Sequence, residues 1–407
     1  MTNNDDAPRS ASALPAMSPF DKVRALLSDI HPAKEPISLT VGQPGHAAPA
    51  SVANILSEHI DDFGRYPSIT GTSDFRSAVA TWLDKRYKLG DLIDENRGIL
   101  PLNGSREGLL HAALGARDAL DKPTDHPIIL LPNPYYQTYG AAAYVAGCEA
   151  ITLDGAAENG FLPNLSDISA DVLDRTVAFY LASPANPQGG VASLSYWQDL
   201  ITLARRHRFF IFADECYSEI YRKAPPPGLL EAARAFDGDF TGLISFNSLS
   251  KRSNLPGLRC GFAAGDAQFL EKWANYRSLA APQVPIPLQA VAAAVYRDEA
   301  HVVENRRLYN EKFALAEEML VPHCDFKTPP AGFFIWLDVG KWGDGEAFSK
   351  HLWKEQGIRV VPGCYLSATN RDGSNPGTNF IRIAMVESLQ TTSEALDRLV
   401  SVLGDST

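Results

Sequence analysis

Residues 243–261 read LISFNSLSKRSNLPGLRCG, an apolar run that leads directly into a lysine set among serines and glycines and followed by an arginine. A strand buried on both faces of a sheet reads as a continuous apolar run. In open α/β sheets ligands bind beyond the carboxyl ends of the strands, so the polar half of this stretch is where a site belongs. Lys251 can form a Schiff base with an aldehyde only as the free amine, a form favoured by a desolvated setting and by a nearby cation such as Arg259. If the segment stays extended, the Ser248 and Ser250 hydroxyls share one face opposite Leu249, and that face suits a phosphate. The competing reading is a solvated basic loop, where most lysines are found. The rest of the chain decides between the two.

Working outward, short apolar runs at 99–100, 128–131, 150–153, 177–181, 209–213, 243–246 and 261–264 alternate with helical periods. This βα alternation predicts an α/β fold whose large domain, residues 46–286, has a mainly parallel seven-stranded sheet covered by helices. Fewer strands alternate with helices over 287–407, which predicts a smaller α+β domain with an exposed loop over 363–377. Residues 18–45 are expected to join that smaller domain. They begin with a Ser18-Pro19 cap and an amphipathic helix carrying Phe20, Val23, Leu26 and Leu27. Residues 1–17 are expected to be a flexible arm, without the basic start and apolar run of a secretion signal.

The residues that follow each run are the candidates for chemistry. Ser105 and Arg106 open a helix after Gly104, where free amides could hold an anion, although a plain serine cap gives the same sequence. Tyr135 and Tyr136 follow the second run and could stack on a flat ring. Asn186 stands in a Pro-Gly turn after the fourth run. Asp214, Glu215 and Tyr217 follow the fifth; the two carboxylates could bind metal, act as acid and base, or pair with a cationic heterocycle. No histidine at ligand spacing and no D-x-D-x-D-G loop accompanies them, so no metal is expected. Gly42, in GQPGH, permits close approach of backbone to a ligand, and Tyr66 lies on a loop.

With 407 residues, a net charge of -11 and pI near 5.3, the chain is large enough for two cores, and affinity for nucleic acid or anionic membranes is not expected. Anionic ligands would be held by local arginines. Five scattered cysteines fit neither a zinc site nor a disulfide framework and suggest a reducing cytoplasm. No run approaches the ~20 apolar residues of a membrane helix.

Taken together, S-x-S-K followed by G-x-R-x-G, with LTVGQPGH, LPLNGSREGLL, NPYYQTY, SPANPQGG and ADECYSEIY, resembles the fold-type I, class I/II aminotransferases that use pyridoxal 5'-phosphate. The SKRSN segment is most similar to the bacterial N-succinyldiaminopimelate aminotransferases. The resemblance implies that Lys251 carries the cofactor and moves protons on the substrate, and that Asp214 pairs with the pyridine nitrogen. It implies that Tyr217 and Asn186 bond the phenolic oxygen, Tyr136 stacks on the ring, and Ser105, Arg106, Ser248 and Arg259 hold the phosphate. Tyr66 is implied to reach the phosphate from a neighbouring subunit, which makes a homodimer with shared sites. Arg382, with help from Gly42 and Asn186, is implied to hold the substrate α-carboxylate. The expected reaction passes an amino group from glutamate to the 2-oxo acid N-succinyl-2-amino-6-oxopimelate. The rivals are a transaminase for aspartate or an aromatic amino acid, a C-S lyase, and a non-enzymatic regulatory domain of the same fold.

Overall fold

The computed structural model describes residues 17–120, 122 and 125–404, so the expected arm lies outside the described residues apart from Met17. A two-residue strand, β1 (Ile37–Ser38), precedes a large sheet built from β2 (Ile99–Leu102), β3 (Ile128–Asn133), β4 (Glu149–Asp154), β5 (Thr176–Ala182), β6 (Phe210–Asp214), β7 (Leu243–Ser248) and β8 (Gly261–Gly265). Their spatial order is β2-β8-β7-β6-β5-β3-β4. The pairs joining β4, β3, β5, β6 and β7 are parallel, as the apolar runs imply. β8 runs antiparallel to both β7 and β2. The link between β7 and β8 is one helical turn and one 3-10 turn, so the chain re-enters the sheet at the end where it left.

Along β5 and β6, successive side chains enter opposite cores. Phe179, Leu181 and Ile211 pack on one face with Trp197 and Leu243, whereas Tyr180 and Phe212 pack on the other with Phe246 and Trp273. This is the period-two geometry of a strand covered on both sides, and it leaves only the carboxyl edge of the sheet for polar groups.

Four further strands, β9 (Phe334–Asp338), β10 (Ile358–Arg359), β11 (Val361–Pro362) and β12 (Phe380–Ala384), follow in the last third of the chain. β12 lies between β11 and β9 in an antiparallel sheet, and β10 pairs in parallel with β1. Helices Ala300–Leu320, Gly345–Gln356 and Leu389–Gly404 surround a separate core containing Leu39, Phe313, Leu337, Ile381 and Leu399. The first helix, Pro19–Leu27, is capped by Ser18 Oγ accepting from the Asp21 amide, and buries Val23 and Leu27 against Trp353 and Val361. Helix Ile286–Arg297 straddles residue 287 and places Val291, Ala292, Val295 and Tyr296 in the core of the large sheet.

The segment 363–377 is not simply the exposed loop that its polar composition suggests. Gly363 and Leu366 are buried, and the Ala368 amide donates to Asn133 Oδ1 at 2.9 Å, which fixes the segment over the end of β3. Among the described residues no helix is long and apolar enough to cross a membrane.

Candidate active site

One cavity of about 360 Å³ opens at the carboxyl edge of the large sheet. Ser105, Arg106, Tyr136, Asn186, Asp214, Tyr217, Ser248, Lys251 and Arg259 line it from the large sheet, and Gly42 and Arg382 line it from the other side. Tyr66 alone of the expected residues does not; it is 99% exposed on its loop.

The lysine stretch is folded differently from the extended reading. Ser248 ends β7 and caps the turn Leu249–Arg252, its Oγ accepting from the Ser250 amide at 3.2 Å. The two serine hydroxyls still meet, at 3.0 Å, because the cap brings them together where alternation along a strand would have done. The turn projects Lys251 into the cavity, where Nζ donates to the Gly42 carbonyl. Burial is the main force that pushes the Lys251 amine down to about 8, and the guanidinium groups of Arg382, Arg106 and Arg259 act in the same direction. Arg252 turns the other way, into the core, and pairs with Glu299 at 2.5 Å.

Asp214 and Glu215, adjacent in sequence, face opposite ways. Glu215 is tied up in the core, accepting from Tyr87 Oη at 2.6 Å and from the Leu229 amide at 2.8 Å. Asp214 faces the cavity, is 7% exposed, and accepts from Tyr139 Oη at 2.8 Å and from the Cys216 amide at 3.2 Å. Burial raises its pKa against the opposing hydrogen bonds and the charge of Lys251, and among the described residues no cation lies within ion-pair distance of it. A buried carboxylate beside a cavity with no direct ion-pair partner fits a cationic ring nitrogen.

The opposite charge pattern holds at two other walls. Among the described residues Arg259 bonds only neutral oxygens, those of Ser250, Pro256 and Asn103, and it lies so close to Gly104 that a Cβ there would come within 2.2 Å of Nη2. Gly104, at φ +80, leads into the helix Ser105–Ala119 with no side-chain cap, so the first amides of that helix and Arg259 converge on one spot. Arg106 donates from Nε to Tyr136 Oη at 2.6 Å, which orients the tyrosine ring at the cavity wall. This is the donor set a phosphate needs. Arg382, 4% exposed, donates to Asn186 Oδ1 at 3.2 Å and to the Thr40 carbonyl at 2.7 Å, and lies 4.4 Å from the Phe334 ring centroid. Burial pushes it down to about 10, its Nε has no partner, and no carboxylate pairs with it among the described residues. The arrangement fits a carboxylate ligand.

Sequence reasoning missed Tyr139, Cys216, Phe334 and Leu366, all of which line the cavity. Tyr139 had a signal: it stands three residues after Tyr136 at a helix start, a spacing that puts both on one face. Phe334 and Leu366 come from elements far along the chain and carry none.

The family profile described as aminotransferase class I and II matches residues 34–402. An LL-diaminopimelate aminotransferase of Moorella thermoacetica is 32% identical over 375 residues, 90% of this chain and 91% of that protein. A solved aminotransferase structure from Neisseria meningitidis superposes with a TM-score of 0.89 at 37% identity, covering 95% of this chain and 97% of that one. A probable N-succinyldiaminopimelate aminotransferase from Thermus thermophilus gives a TM-score of 0.81 at 25% identity, covering 94% and 100%. The mutual placement of Lys251, Asp214, Arg259 and Arg382 and the extent of these matches agree: the chain belongs to the class I and II aminotransferases, pyridoxal-phosphate-dependent transaminases of fold type I.

Proposed function

We propose that this transaminase acts in the diaminopimelate series, with glutamate as donor and N-succinyl-2-amino-6-oxopimelate as acceptor. The observation that carries the amino-acid part is Arg382, a buried guanidinium with neutral partners that lines the same cavity as Lys251. The carbon skeleton rests on the names of the relatives, and the succinyl group on the SKRSN segment and the Thermus neighbour. A second reading, an acceptor without the succinyl group, is favoured by the relatives about 30% identical named LL-diaminopimelate aminotransferases.

In this reading the bound pyridoxal phosphate supplies the electron sink for a carbanion at the substrate α-carbon. Arg382 grips the α-carboxylate as a two-pronged donor, with Gly42 and Asn186 alongside. Lys251, with its amine near neutrality, takes and returns the proton at the α-carbon. Asp214 keeps the pyridine nitrogen protonated, Asn186 and Tyr217 bond the phenolic oxygen, and Tyr136 covers the ring. Ser105, Arg106, Ser248 and Arg259 hold the phosphate. The exposed Tyr66 is assigned to the site of a second subunit, so the active form is a homodimer, and the scattered cysteines favour the cytoplasm.

The test is a half-reaction screen that follows the cofactor absorbance when single amino acids are mixed with the enzyme. Glutamate and N-succinyl-LL-diaminopimelate should react fastest. A faster LL-diaminopimelate reaction selects the second reading, and aspartate or phenylalanine outpacing all of them contradicts both. Release of pyruvate and ammonia without an oxo acid would point to elimination instead.

A further inference from the structure

The loop that offers its Gly42 carbonyl to Lys251 also carries His46, a histidine that the proposed chemistry does not use. His46 Nδ1 lies 2.6 Å from Asn305 Oδ1, and His46 Nε2 lies 2.8 Å from Lys312 Nζ. Asn305 Nδ2 faces two carbonyls, those of Lys251 at 3.3 Å and Arg252 at 3.4 Å. Lys312 Nζ also donates to the Met385 carbonyl at 3.3 Å, just beyond the end of β12 that holds Arg382. Asn305 and Lys312 are buried and stand two turns apart on helix Ala300–Leu320, hence on one face.

Donor counting fixes the protons. Two carbonyls require the Asn305 amide nitrogen, so its oxygen must accept, and the hydrogen it accepts is on His46 Nδ1. Nε2 then carries a lone pair and accepts from Lys312. The loop is also pressed down at Gly45, where a Cβ would fall 2.5 Å from the Val386 carbonyl. We infer that His46, Asn305 and Lys312 are positioning residues: with His46 neutral and protonated on Nδ1, they hold the Gly42 loop, the Lys251 turn and the Arg382 strand in one register.

The surroundings favour that state. Burial lowers the His46 pKa, and Lys312 lowers it further against the opposing effects of Asn305 and Glu304. Lys312 is itself pushed down to about 8 by burial, with Glu387 opposing. The Tyr309 ring lies tilted against His46, its centroid 4.5 Å away, and beneath Lys312 at 5.1 Å, and Arg222 acts on that tyrosine from beyond. A second proton on His46 would turn Nε2 into a donor aimed at the Lys312 ammonium and open the link. The inference rests on the amino-acid reading of the Arg382 pocket only for its kinetic arm.

The direct test is a long-range proton–nitrogen NMR spectrum of the holoenzyme with labelled histidine, assigned by loss of one signal in His46→Asn. His46 should show the Nδ1–H tautomer, with a titration midpoint below the ordinary value of about 6.5. Lys312→Met should raise that midpoint and carry the acid limb of kcat/KM upward with it. His46→Asn, whose amide can donate to Asn305 from the Nδ1 position but is too short to place an acceptor where Nε2 meets Lys312, should raise KM for the amino acid up to about tenfold with kcat little changed. Lys312→Arg, which keeps the cation and the donors, should hold the midpoint and KM near the wild-type values, and if Lys312→Met does not fold the tautomer and the His46→Asn kinetics carry the test. An Nε2–H tautomer, or an unshifted midpoint, overturns the inference whatever substrate the enzyme prefers. Variants that lose thermal stability while KM and the pH profile stay put would show a merely structural role and also overturn it.

Discussion

Arg382 donates to Asn186 Oδ1 at 3.2 Å, joining the strand that bears the guanidinium to the turn after β5, and both of its hydrogen-bond partners among the described residues, Asn186 and Thr40, are neutral. A buried cation held in this way keeps its charge for a ligand. Arg382→Ala should therefore cost about 2–5 kcal/mol of transition-state binding for amino-acid substrates, the range for truncating one side of a buried charge pair. Arg382→Lys should recover little, since an ammonium lacks the fork. The check is kcat/KM for glutamate against that for its α-decarboxylated amine, which should lose nothing from either change.

Asp214 accepts from Tyr139 and the Cys216 amide, and among the described residues no cation forms a direct ion pair with it. Asp214→Asn keeps the shape and removes the charge, so cofactor binding should weaken and kcat should fall by roughly 10²-fold or more, the scale for losing a charged partner at a site of developing charge. Absorbance titration with pyridoxal phosphate and single-turnover rates measure the two effects separately.

Glu215 is a control one residue away. Its carboxylate is consumed by Tyr87 and the Leu229 amide inside the core. Glu215→Gln should lower stability by about 1–3 kcal/mol, the cost of a buried donor left unmatched, and leave kcat unchanged. Urea denaturation beside steady-state kinetics decides it.

The large sheet was legible because its strands are buried on both faces and therefore read as unbroken apolar runs. The residues after those runs were legible for the same reason, since parallel strands bring their carboxyl ends to one edge. The direction of β8 was not, because it depends on a connection that stays at one end of the sheet. The helical turn at Leu249–Arg252 was hidden by Ser248, whose hydroxyl caps a helix as readily as it lines a strand face. His46, Asn305 and Lys312 are separated by up to 266 positions and meet only through tertiary packing, so no local pattern marks them.

The lowered Lys251 amine has a consequence for stability. Its folded value is about 8, below the ordinary value of 10.5, so the unfolded chain binds more protons between those limits. Stability of the cofactor-free protein should rise with pH across that window. Lys251→Met removes the cost of burying the charge. The cofactor-free variant should therefore melt above the cofactor-free wild type at neutral pH, and the gap should close as pH rises from about 8 to 10.5. Calorimetric scans across pH test the sign.

Gly104 faces Arg259 too closely for a side chain, at φ +80 where only glycine is relaxed. Gly104→Ala should displace Arg259 and loosen the cofactor, raising the dissociation constant for pyridoxal phosphate well beyond the effect of Ser248→Ala. Equilibrium dialysis of both variants measures the difference.

Lys251 should hold the cofactor covalently. Borohydride reduction of the holoenzyme followed by peptide mass spectrometry tests it most directly. The phosphopyridoxyl mass should appear on the peptide containing Lys251, and both that adduct and the visible absorbance should vanish in Lys251→Ala. An adduct on a different lysine, or an unchanged spectrum in Lys251→Ala, would contradict the account.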